Sequence, residues 1–92
     1  MLKITIATLE KIHELLKDEV KTRQTSRDII QKAYYEKERI LEDLARDGYD
    51  KSQAPVISAT KEKDTAKAVY DEARQKLYEA DTALRDFEAQ EF

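Results

Sequence analysis

Residues 56–87 read VISATKEKDTAKAVYDEARQKLYEADTALRDF. Within this stretch Ala59, Ala66, Ala73 and Ala80 recur on a seven-residue period, and Phe87 closes the series. Val56, Lys63, Tyr70, Leu77 and Leu84 keep the same period, each just ahead of a rung. Two columns offset in this way form a heptad seam, and one column is almost entirely alanine. Alanine lets helix axes approach toward the lower end of the usual ~8–10 Å spacing. The stretch therefore predicts a long helix lying close against another helix.

The partner is found upstream. Leu9, Ile12, Leu16, Val20, Ile30, Tyr34, Leu41 and Leu44 fit one helical stripe. Between the two stripes stands the strongest punctuation in the chain, Asp47-Gly48-Tyr49-Asp50-Lys51-Ser52-Gln53-Ala54-Pro55. Gly48 suits the left-handed position just past a helix end, Ser52 is a candidate N-cap, and Pro55 is tolerated in a first helical turn. So short a connection makes the helices antiparallel neighbours. The expectation is one all-α domain over residues 1–92: helix 1 at about 8–47, a loop at 48–54 and helix 2 at about 55–90. Paired residue numbers should then add to about 100, setting Leu44 against Val56, Leu41 against Ala59, Tyr34 against Ala66, Ile30 against Tyr70, Val20 against Ala80 and Leu16 against Leu84. Large faces small along most of this seam, which also takes in Ala73, Leu77 and Phe87.

Two stretches read less simply. Residues 21–28 hold no large apolar side chain. Thr25 followed by Asp28 resembles a capping box, but no Gly or Pro forces a break, so a continuous helix is expected. Arg23 and Arg27 fall opposite residues 72–79, where cross-helix ion pairs could form. At the start, Leu2, Ile4 and Ile6 alternate as in a strand. A lone strand would need another subunit, and a helix start capped by Thr5 or Thr8 is the simpler reading. Acid-before-base pairs at Asp28–Lys32, Glu72–Lys76 and Asp81–Arg85 should support the helices, each by about 0.2–0.5 kcal/mol.

Composition bounds the function classes. The chain has 92 residues, 40% of them charged with both signs interleaved, one Gly and one Pro; that is the composition of long exposed helices. A net charge of −3 gives no general attraction to nucleic acid or anionic membranes. There is no cysteine, hence no thiolate chemistry. No apolar run approaches the ~20 residues of a membrane span. The start lacks the apolar stretch and small-residue cleavage site of a secretory signal. The cytoplasm is the expected location.

Chemistry-bearing motifs are few. Glu10-Lys11-Ile12-His13 places a carboxylate and an imidazole one turn apart, the pair that di-iron bundles use from two helices. Glu88 or Glu91 would lie at the same level. A solvated helical histidine is the simpler reading and a metal-binding bundle a distant third function. No nucleophile–base arrangement can be drawn around the single histidine, so neither catalysis nor a cofactor is expected. Lys17, Lys21, Arg23, Arg27 and Lys32 cluster on helix 1 with Tyr34 and Tyr35 beyond. They could track phosphates, although acids are interleaved, and nucleic-acid association is the alternative function. Tyr34, Tyr70 and Tyr78 read more simply as seam and interface aromatics.

Leu15, Ile29 and Ile40 on helix 1 and Ile57 and Val69 on helix 2 lie beside the seam and widen each stripe beyond what one partner covers. The leading expectation is therefore a non-catalytic protein–protein interaction or assembly module. It would be a homo-oligomer, most simply a dimer forming a four-helix bundle, or it would bind another protein that supplies the missing helices. The small type VII secretion substrates are helical hairpins of similar size, but they carry a Trp-x-Gly turn; Asp47-Gly48-Tyr49 stands here instead, and the chain has no tryptophan. Small hairpins of this composition also occur among phage and prophage assembly factors and inhibitors of host machinery. No motif assigns the chain to either group.

Overall fold

A computed structural model describes residues 5–90. Among them it contains two helices, α1 (Ile6–Arg46) and α2 (Ala54–Ala89), packed as an antiparallel hairpin. The rod measures 69 × 18 × 16 Å. Its radius of gyration is 20.5 Å, against ~12 Å for a compact domain of this length. The alternation at Leu2 and Ile4 lies outside the described residues.

Each boundary has a local cause. The Thr5 side chain accepts from the Thr8 amide at 3.1 Å, satisfying one of the free donors at the start of α1. At the other end the Gly48 amide donates to the Ala45 carbonyl at 3.1 Å and the Tyr49 amide to the Leu44 carbonyl at 3.0 Å. These two bonds make a Schellman motif. It requires the positive φ that Gly48 adopts, +90°. Helix α2 begins one residue earlier than expected and is capped by Gln53, not Ser52. The Gln53 side chain makes no cap bond; its Oε1 accepts from the Asp50 amide at 2.7 Å and so ties the loop to the helix start. Pro55 stands in the first turn, where a missing N–H costs nothing.

Helix α1 runs unbroken through its polar stretch. The Thr25 hydroxyl donates to the Lys21 carbonyl at 3.1 Å, within the helix, instead of capping a new one. Arg23 and Arg27 take seam positions. They pair within α1, Arg23 with Glu19 at 2.7 Å and Arg27 with Asp28 at 2.8 Å. The cross-helix pairs expected at this level are therefore corrected: each guanidinium reaches outward over its own helix and leaves only its alkyl stem on the seam. Asp28 pairs with Arg27 in place of Lys32, whereas Glu72–Lys76 and Asp81–Arg85 form at 3.1 and 3.0 Å.

The register is visible in the contacts that cross the seam. His13 meets Glu88 and Phe87, Gln31 meets Tyr70, and Lys37 meets Glu62. The numbers in each pair add to about 100. The most enclosed side chains are Ala59 and Ala73, each 7% exposed, and they are the only buried ones among the described residues. A line of contact between two helices has no third layer that could close over larger side chains.

Candidate interaction surface

On helix α1 the seam follows a strict three-four spacing through Leu9, His13, Leu16, Val20, Arg23, Arg27, Ile30, Tyr34, Lys37, Leu41 and Leu44, all half-buried. On α2 it follows Val56, Ala59, Lys63, Ala66, Tyr70, Ala73, Leu77, Ala80, Leu84 and Phe87. Three basic residues of α1 and one of α2 thus stand where apolar residues would be sought. Hydrophobicity alone could not locate them; only the unbroken spacing marks them.

The rings gather near the middle of the rod. Tyr34 stacks on Tyr70 with centroids 5.5 Å apart and planes 3° from parallel. Arg74 lies over the other ring at 5.6 Å from the Tyr70 centroid. Gln31 Nε2 donates to the hydroxyls of Tyr35 at 3.0 Å and Tyr70 at 3.4 Å. The Tyr34 hydroxyl is pushed up to about 12, first by hydrogen bonding to Glu38, then by desolvation and by the charges of Glu38 and Asp71. Tyr78 is 67% exposed and lies outside the seam.

His13 keeps about a third of its side chain in solvent but is held across the seam. Its Nε2 lies 2.8 Å from Glu88 Oε2 and its ring stacks on Phe87 at 5.8 Å. Glu10 lines the same cleft, while Glu91 lies outside the described residues. Among the described residues no group of three or more His, Asp or Glu side chains is placed to hold a metal ion. The contact clasps the start of α1 to the end of α2.

The basic residues of α1 divide between faces. Arg23 opens onto a groove with Ser26, Val69 and Lys76. Arg27 opens onto the opposite groove, where Arg74 and Arg85 of α2 join it beside Gln24, Tyr78 and Asp81. By helical periodicity Lys17 and Lys21 lie toward the Arg27 side and Lys32 on the outer face of α1. The five residues do not make one stripe, and the two arginines of α2 that complete the groove at Arg27 are far from them in sequence.

The apolar residues flanking the seam are open to solvent: Leu15, Ile29, Ile40, Ile57 and Val69 are all exposed. Among the described residues no helix is long and apolar enough to cross a membrane. No family model matches the chain, and no curated protein or solved structure matches it.

Proposed function

We propose that the chain is a non-catalytic assembly module that acts as a homo-oligomeric helical hairpin, with a second copy covering the apolar surface that one hairpin leaves open. One observation carries this reading. The rod exposes 7470 Å², whereas a compact monomer of its mass would expose about 5500 Å². The excess, about 2000 Å² per chain, is more than the ~800 Å² that each partner of a standard stable pair buries. A dimer packed along the rod gives a four-helix bundle, in which the aliphatic flanks become core. Light scattering at high micromolar concentration should return about twice 10.7 kDa. A mass of one chain across the accessible concentration range refutes the reading.

A second reading is supported by the groove at Arg27. Three guanidiniums beside an exposed tyrosine suit a phosphate backbone with a base stacked on the ring. Retention on single-stranded nucleic acid that falls steeply with salt, and is lost in Arg74→Ala, supports it; no retention at low salt removes it. The first reading rests on an area the whole molecule presents, the second on three side chains of which two already hold acidic neighbours.

A further inference from the structure

The hairpin has two unlike sides. Let Val56 and Ala59 be a and d positions of α2, and His13 and Leu16 those of α1. Positions c and g then flank each seam on one side, b and e on the other. The grooves show which flanks share a side. Arg23, Ser26, Val69 and Lys76 line one, so the c and g flanks of both helices lie together. Gln24, Arg74, Tyr78 and Arg85 line the other, so the b and e flanks lie together.

Exposed side chains sort by this division. Leu15 and Ile29 are c residues, and Ile40 and Val69 are g residues. All four lie on one side, 59%, 65%, 40% and 46% exposed. Tyr35, Tyr78 and Ile57 lie on the other. Four of the exposed aliphatic residues thus share one side; the other carries the two tyrosines and, near the loop, Ile57 over a groove lined by Leu41, Ala45 and Val56. The side with these four, the aliphatic side, carries a shallow groove of about 180 Å³, in which Ser26, Ile30, Val69 and Ala73 are joined by the charged Arg23, Glu72 and Lys76; Ile29 adjoins Ile30 on the helix. This groove sits at the midpoint of the rod.

We infer that the aliphatic side is the interface with the second copy, the two rods lying side by side with a two-fold axis at the groove. The inference rests on the assembly reading above and names its surface. An isologous contact needs a residue and its receiving site on the same patch. Ile29 and the groove next to it meet that need: Ile29 of each copy enters the groove of the other. Placing the axis at mid-rod also overlaps the rods along their full length. One side of a 69 × 18 Å rod offers roughly 1200 Å², more than the ~800 Å² per partner of a standard interface. The rim of this side is acidic, through Glu19, Glu36, Glu62, Glu72 and Glu79, all exposed. Glu19, Glu62 and Glu72 are already held by Arg23, Lys37 and Lys76, which leaves Glu36 and Glu79. The remaining repulsion acts through solvent and is screened beyond ~8–10 Å at ordinary ionic strength. Self-association through this side must therefore tighten as salt is added.

Sedimentation equilibrium on wild type and three variants tests the inference, with far-UV circular dichroism to confirm that each remains helical. Ile29→Glu on α1 and Val69→Glu on α2 should each weaken the dimer at least about 100-fold, and Tyr35→Glu on the opposite side should change it less than about threefold. The wild-type dimer should tighten between low and high salt. If the wild type dimerises but Tyr35→Glu breaks it while Ile29→Glu and Val69→Glu do not, the face is wrong and the assembly reading survives. A dimer that loosens with salt also overturns this face, because it implies pairing of oppositely charged surfaces. A wild type monomeric throughout overturns the assembly reading itself. Should that monomer bind an amphipathic Leu/Lys helical peptide, with binding lost in Ile29→Glu, the aliphatic side belongs to a basic helical partner instead.

Discussion

Ala73 is the residue on which the packing account turns, being one of the two buried side chains among the described residues. Replacing it with leucine keeps helix propensity nearly constant but adds bulk where the helices meet. Overpacking of this kind costs about 1–3 kcal/mol. Ala68 lies on the outer, exposed face of the same helix, so Ala68→Leu should be close to neutral. Thermal melts of both variants at one protein concentration decide the matter: Ala73→Leu should melt well below wild type and Ala68→Leu beside it. An Ala73→Leu protein as stable as wild type would reduce the ladder to helix propensity. Tyr34 supplies a second test. Its hydroxyl pKa rises from 10.0 to about 12 in the folded chain, so the native state holds this proton more tightly than the unfolded one. The resulting stability is complete below pH 10 and declines as pH rises through about 12. Tyr34→Phe removes this dependence, and its denaturation midpoint should fall less steeply over that window than that of wild type; equal slopes would contradict the assignment.

At the scale of the elements, the turn and the polar layer make opposite predictions. Gly48 holds φ at +90° with open space where a Cβ would stand. Gly48→Ala therefore meets no neighbour and is penalised through the backbone alone, by about 1–2 kcal/mol, read as a lowered urea midpoint with unchanged m-value. Residues 21–28 remain helical without large apolar contacts, and low local packing permits local opening. Amide exchange there should be faster than across residues 30–44; uniformly slow exchange through α1 would refute this and indicate a sealed polar layer. These elements also show how far the sequence could be read. Both helices, their antiparallel order, the glycine stop and the register follow from the alanine ladder and one short loop, because a repeated seam constrains every residue at once. The cap at Gln53 was hidden, since it works through a loop bond and not through a typical capping side chain. The pairing of Arg23 and Arg27 within α1 was hidden too, because a long flexible side chain can cover a seam with its stem and choose either helix for its charge. The contacts of His13 were hidden because Glu88 is distant in sequence and the stacking on Phe87 depends on register. The sidedness of the exposed residues was equally hidden: Ile57 falls opposite Leu15, Ile29, Ile40 and Val69, a division that needs both helices in place.

At the scale of the molecule, the hairpin is a rod whose described residues include two buried alanines and leave an aliphatic side uncovered. Every large apolar side chain of its seam keeps contact with water. Such a shape gains most by meeting a second apolar surface, since each large aliphatic side chain taken fully out of water contributes about 1.5–3 kcal/mol. Mass action then links stability to concentration, so the melting temperature should rise as protein concentration increases. Small-angle X-ray scattering tests the central claim most directly, because it reads mass and length in one experiment. Side-by-side pairing at mid-rod should give about twice 10.7 kDa with a longest dimension still near 69 Å. A particle of 10.7 kDa with a radius of gyration near 20.5 Å would contradict it.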